Sequence, residues 1–200
     1  MKIDKMILQL DTAFKGSVIK PSDCIEYETG QLFYIEDNEL AGKCITIRLT
    51  LSEVEKQKYF EITNERANKV AVWSVDGCFL SSKQSERCDC IFFDEKDFCF
   101  VEFKLNATSS NPKTILENRS KAVRQLRGMF GLIKKQFDLH RFNFVGYSLE
   151  AYVCTPIFYP NKNTALSDFA VEFLEDHGVK LFEANKKNMQ MTSHVAIILT

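Results

Sequence analysis

Cys88-Asp89-Cys90-Ile91-Phe92-Phe93-Asp94-Glu95-Lys96-Asp97-Phe98-Cys99-Phe100-Val101-Glu102-Phe103-Lys104-Leu105 is two apolar, aromatic-rich runs around a charged turn, the pattern of a β-hairpin. A loop of two residues (Glu95-Lys96) or of four (Asp94 to Asp97) gives one register, in which cross-strand partners sum to 191. Asp89 then lies opposite Glu102, with Cβ atoms about 4.5–5.5 Å apart. Lys104, two residues on, shares the face of Glu102. One face carries Ile91, Phe93, Phe98 and Phe100 before reaching Asp89, Glu102 and Lys104. The other carries Cys88, Cys90, Phe92, Cys99, Val101, Phe103 and Leu105. Both faces are apolar enough to be buried. Like charges placed opposite each other destabilise a sheet, and charges at the end of a buried strand pair need partners. A hard divalent cation would remove the repulsion, since magnesium is held by one or two carboxylates plus waters and phosphates. The plain alternative is a salt bridge from Lys104 to Glu102 with Asp89 solvated.

Asp89, twelve intervening residues, then Glu102-Phe103-Lys104 resembles the PD-(D/E)xK nuclease superfamily, the restriction-endonuclease-like fold. The resemblance covers about residues 50–156. It implies an α/β (α+β) mixed sheet with an αβββαβ core, a Mg²⁺ or Mn²⁺ cofactor, and hydrolysis of nucleic-acid phosphodiesters, with DNA the expected substrate. Position by position, Asp89 and Glu102 match the metal-binding acids, joined by the Phe103 carbonyl, and Lys104 matches the catalytic lysine. The residue before Asp89 is Cys88 rather than proline. The resemblance also implies an (endo)nuclease, with a silent nucleic-acid-binding or protein-interaction subunit as the alternative.

The segment Asn111 to Arg141 has eight basic and two acidic residues, so it carries +6 while the remainder carries −7. A basic stripe is what phosphate contact requires, and a solvated helix face is its ordinary reading. Asn111 as N-cap and Pro112 at the first position start a long helix. Its apolar residues (Ile115, Leu116, Ala122, Val123, Leu126, Met129, Phe130, Ile133, Phe137) recur with a period near 3.6. Gln125 lies at the border of that stripe and loosely matches a glutamine that several branches of the superfamily use to organise the site. Gly128 and Gly131 would allow close helix–sheet approach.

Upstream, two capping boxes in Thr50-Leu51-Ser52-Glu53-Val54-Glu55 predict a helix from about Ser52 to Ala67. The resemblance implies a further acid from that helix: Glu65 first, Glu61 next, with Glu86 as a rival outside it. Val70–Trp73 is the expected first core strand, turning at Asp76-Gly77. A strand is expected over Phe142–Thr155, a helix from Thr164 or Ser167 to about Asp176, and strands over Val179–Phe182 and Val195–Leu199. Residues 1–49 read as a β-rich N-terminal elaboration on the core sheet, with runs at 32–35 and 44–49.

The 200 residues, 45% hydrophobic, suit one domain spanning 1–200. No apolar stretch reaches the ~18 residues needed to span a bilayer, and the start lacks the apolar region of a signal peptide. An odd count of seven cysteines, several alternating with apolar residues, reads as free thiols in a reducing cytoplasm. A zinc site at Cys88-x-Cys90 is a minor alternative. The three histidines show no metal spacing. A homodimer and a larger complex are both compatible with the chain.

Overall fold

The structure is a computed structural model that describes residues 2–49, 52, 58–65, 67–80, 87–156, 159 and 164–189. Element order is α1 (Lys2–Ala13), a 3-10 turn (Pro21–Cys24), β1 (Ile25–Glu28), β2 (Leu32–Asn38), β3 (Lys43–Ile47), β4 (Phe60–Thr63), β5 (Val70–Ser74), β6 (Cys90–Phe93), β7 (Asp97–Phe103), α2 (Pro112–Leu139), β8 (Ser148–Cys154), α3 (Thr164–His177), β9 (Lys180–Glu183) and β10 (Lys186–Asn188). The fold is mixed α and β with two sheets. The large sheet has order β1-β5-β6-β7-β8-β9, and the small one β10-β4-β2-β3.

The β6–β7 hairpin forms in the expected register: Cys90 pairs with Val101, Ile91 with Phe100, Phe92 with Cys99, and Phe93 with Phe98. Its turn is locked by Asp94, whose Oδ1 accepts from the N–H groups of Lys96 (2.7 Å) and Asp97 (2.8 Å). Both faces are buried, for different reasons. Ile91, Phe93, Phe98 and Phe100 pack under the helices with Met6, Leu10, Leu126, Phe130 and Phe173. Cys90, Phe92, Cys99, Val101 and Phe103 pack against Phe33, Ile35, Phe60 and Ile62 of the small sheet. Three layers result, with helices, large sheet and small sheet in that order. Each fully buried phenylalanine contributes about 1.5–3 kcal/mol over an exposed one, so the middle of the hairpin is the most strongly held part of the sheet. Cys88 departs from the expected alternation and joins the helix-side core, because the Asp89 N–H bonds Val101, already the partner of Cys90, and the alternation breaks there.

α2 starts as the sequence requires, with Asn111 Oδ1 capping the Lys113 N–H at 2.9 Å. It then crosses over so that β8 lies parallel to β7. α3 ends at Gly178, whose φ of 67° suits a C-cap. β8 is shorter than expected and occupies only Ser148–Cys154.

Four expectations are corrected. First, residues 1–49 are not purely β-rich, and only β1 of their strands joins the large sheet. The region opens with α1, whose buried Ile3, Met6, Ile7, Leu10 and Ala13 follow a helical stripe, and β2 and β3 belong to the separate small sheet. Second, the helix expected over Ser52–Ala67 does not extend through its later half: Phe60–Thr63 is β4, held between β2 and β10, while residues 53–57 and 66 lie outside the described residues. Alternate burial of Phe60 and Ile62 selects a strand there. Third, not all thiols are free. Cys24 and Cys78 form a disulfide, with Cα atoms 5.8 Å apart across 54 residues, and five buried free cysteines remain. The pairing removes the premise of the reducing-compartment reading. Fourth, Gly131 does not serve close helix–sheet approach, since a Cβ there would meet nothing within 4 Å. The strand expected over 195–199 lies outside the described residues. No helix among the described residues is long and apolar enough to cross a membrane.

The two sheets are pinned at the turn end of the hairpin. Lys187 of β10 donates to Glu150 Oε2 of β8 (2.6 Å) and reaches Asp97 Oδ1 of β7 (3.4 Å), while the Tyr152 hydroxyl donates to the same Glu150 oxygen at 2.5 Å. At the opposite end Gly77, with φ of 75°, backs directly onto the Gly42 carbonyl in the β2–β3 turn. A methyl at Gly77 would need both a disfavoured backbone and space occupied by that carbonyl. Gly77→Ala is therefore expected to destabilise the fold by at least about 2 kcal/mol, read as a lowered midpoint in urea unfolding. Gly131→Ala, on open surface inside α2, should instead stabilise by about 0.5–1 kcal/mol.

Candidate functional site

The end of the hairpin away from its turn gathers the ionic residues. Asp89 stands one residue before β6 and Glu102 lies on β7, but the paired ladder ends at Cys90–Val101, and the Asp89 N–H bonds the Val101 carbonyl, so the 191 register does not extend to an Asp89–Glu102 pair. The Asp89 backbone is fixed from both sides: its N–H donates to Val101 O at 3.1 Å, and its carbonyl accepts from Val75 (3.0 Å) and Asp76 (3.1 Å). Its Oδ2 accepts the Phe103 N–H at 2.6 Å. An extended residue turns its N–H and C=O to the same flank, so the Phe103 carbonyl faces the Asp89 side as well.

Glu102 is 1% exposed. One carboxylate oxygen is ion-paired with Lys104 Nζ, and the other, Oε2, has no hydrogen-bond partner among the described residues. Lys104 is held a second time, donating to Gln125 Oε1 of α2 at 3.0 Å. The amide's other end donates to the Arg87 carbonyl at 3.1 Å. A cation on one side and a carbonyl on the other leave the Gln125 amide one satisfactory orientation. Arg87 in turn pairs with Asp76 at 2.7 Å. Asp89, Glu102, Lys104 and Gln125 are thus brought together on one rim, as the sequence indicates.

The electrostatics follow from burial. Loss of water pushes the Asp89 carboxyl up to about 7; the Phe103 N–H opposes this, Asp37 adds to it, Lys104 opposes it and Asp76 adds to it. Glu102 is raised well above the ordinary carboxylate range, first by burial and then by Asp89, with Lys104 pulling the other way. One lysine does not neutralise two buried acids, and that deficit is the property a divalent cation would correct. An oxygen without a partner on Glu102, a backbone carbonyl beside it and an acid that is reluctant to ionise fit a magnesium-type ion that keeps several waters. No group of three or more His, Cys, Asp or Glu side chains among the described residues is arranged to hold a metal, which includes Cys88 and Cys90 as zinc ligands.

Other expected members are elsewhere. Glu65 is exposed beyond β4, where it accepts from Asn188 Nδ2 at 3.2 Å. Glu61 lies within β4, beside Tyr34 and Lys186. Both are off the rim because Phe60–Thr63 is a strand of the small sheet. Glu86 lies outside the described residues. The acids that do influence the rim are Asp37 of β2 and Asp76, and sequence reading missed both as site residues. The run Glu36-Asp37-Asn38-Glu39 after an apolar strand was the available signal, but its position over the hairpin depends on how two sheets stack. Asp37, Phe103, Lys104, Asn106 and Asn118 line a cleft of about 700 Å³ that opens from the rim.

The basic stripe is partly consumed by structure. Arg119 is buried and paired with Glu183 at 2.9 Å, Arg127 pairs with Glu172 at 2.9 Å, and Lys134 pairs with Asp138 at 2.8 Å. Lys113, Lys121, Arg124, Lys135 and Arg141 are exposed.

A pH dependence follows. Because the folded Asp89 pKa lies above the unfolded value, the folded state holds the proton more tightly. This contribution is fully present below about pH 4 and is lost as pH rises to about 7. Its ceiling is on the order of 4 kcal/mol. Asp89→Asn removes this titration and keeps an acceptor for the Phe103 N–H. In EDTA, chemical unfolding at pH 4.5 and pH 8 should show the variant gaining on the wild type as pH rises. A variant that loses ground over that interval would contradict the assignment of repulsion to this rim.

No protein-family model matches the chain, and no curated protein or solved structure does either.

Proposed function

We propose that the chain is a metal-dependent nuclease that hydrolyses nucleic-acid phosphodiester bonds, with DNA as the first substrate to test. One observation carries this reading: two buried carboxylates and a lysine converge at the end of a doubly covered hairpin, with one Glu102 oxygen left without a partner among the described residues. The order α1, β5, β6, β7, α2, β8 supports a restriction-endonuclease-like αβββαβ core, with β1 to β4 inserted after the first helix. The antiparallel β5-β6-β7 meander and the parallel β7–β8 pair after α2 support it further.

Asp89, Glu102 and the Phe103 carbonyl are the groups that would hold Mg²⁺ or Mn²⁺. Such an ion supplies Lewis acidity toward a phosphoryl oxygen and lowers the pKa of bound water. With Glu102 engaged there, Lys104 would keep its bond to Gln125 Oε1 and direct its remaining protons into the cleft. From that position the ammonium orients the attacking water or stabilises charge developing on the phosphorus oxygens. Gln125 is a positioning residue for Lys104. The exposed bases of α2 supply contacts to the phosphate backbone without reading sequence.

The rival reading is a catalytically silent subunit that binds nucleic acid or protein. The closed Lys104–Glu102 pair favours it, since that pair partly satisfies the rim without metal. Lys104→Ala separates the two readings. On the nuclease reading, cleavage of single-stranded, double-stranded and branched DNA in Mg²⁺ or Mn²⁺ falls by at least about 10²-fold. The same variant is less stable in EDTA, because Glu102 loses its partner, and Mg²⁺ restores its melting temperature. Equal metal-dependent cleavage by variant and wild type would refute the role of Lys104. No cleavage by the wild type, with no effect of metal on melting, would favour the silent subunit.

A further inference from the structure

Asp37 belongs to the small sheet, yet its row points at the large one. Phe33 and Ile35, two and four residues earlier on β2, are buried in the core between the sheets. Strand alternation puts Asp37 on their face. It pairs directly with Cys44 of β3, which is also buried in that core. Cys44 is tied to the large sheet twice: its carbonyl accepts the Ser74 hydroxyl at 2.5 Å, and its thiol is hydrogen-bonded with that of Cys90. Ser74 and Cys90 are paired neighbours on β5 and β6, and Cys90 is the residue after Asp89. The last inward position of β2 is therefore docked over the rim, and it holds an acid where the pattern calls for an apolar residue. Asp37 is open to solvent through the cleft it shares with Lys104.

Acids alone do not make a site. The independent observation is Glu102 Oε2, fully buried on the same rim and without a partner among the described residues. We propose that Asp37 is a third carboxylate for the divalent cation at the Asp89–Glu102 rim, facing the ion across a bound water. This deepens the reading above and rests on the rim being a cation site. The contact runs through water because no three acids among the described residues converge tightly enough to ligate one ion directly. Magnesium and manganese sites retain waters that outer carboxylates hold. Strands β2 to β4, inserted between α1 and β5, thus have a role in the chemistry beyond covering the hairpin.

Calorimetric titration of Mn²⁺ into the wild type, Asp37→Asn, Asp37→Ser, Glu39→Gln and Asp89→Asn tests this. Both Asp37 variants should weaken Mn²⁺ binding about ten-fold, Glu39→Gln less than about two-fold, and Asp89→Asn should abolish it. Glu39 controls for the general field of the acidic wall. Melting in EDTA should not be lowered by Asp37→Asn, because an accessible acid among acids is being removed. If the wild type binds Mn²⁺ and the Asp37 variants match Glu39→Gln, the inference is overturned while the rim remains a cation site. If the wild type binds no Mn²⁺, both fall together.

Discussion

The fold is built around one strand pair that has no solvent face. β6 and β7 are covered by helices on one side and by a second sheet on the other, so their register is fixed twice over. A slip by one residue would exchange the aromatic row under α2 with the cysteine and valine row under the small sheet. That constraint is what can hold Asp89 and Glu102 at one end of the ladder. Repulsion between buried acids would displace the end of a loosely packed hairpin, but here Phe92, Phe93, Phe98 and Phe100 hold the ladder that carries them.

The charge placed on that rim is unbalanced by design of the packing. Lys104 meets one acid, Gln125 meets Lys104, and Arg87 meets Gln125 and Asp76, so every neighbour is oriented while a negative surplus persists. Such a network is pre-organised, because its members already have their rotamers fixed by one another. That pre-organisation is what the proposed cation site would draw on.

How much of this was legible depended on the range of the interactions. The hairpin register, the Asn111 cap, the stripe of α2 and the meeting of Asp89, Glu102, Lys104 and Gln125 are set by residues close in sequence or by one helix crossing over. They could be read. The stripe in α1 was equally local (Ile3, Met6, Ile7, Leu10) but was passed over for the β-rich runs that follow it. Phe60–Thr63 was misread as helix because local helix propensity competes weakly with tertiary burial, and Phe60 and Ile62 pack into the small sheet. Asp37 and the Cys24–Cys78 disulfide were out of reach for another reason. Each depends on how separately formed units stack, and no periodicity encodes that.

The Lys187 cluster has a consequence at the far end of the molecule. One ammonium from β10 serves Glu150 and Asp97 across the layer boundary, and Tyr152 completes the set. Sliding the small sheet along the large one would strand a lysine and two carboxylates in apolar surroundings, so the sheets have a single docking position. The cluster works as a distant dowel. By forbidding lateral play near the hairpin turn, it sets the width of the gap between Asp37 and Lys104, roughly the length of a strand away.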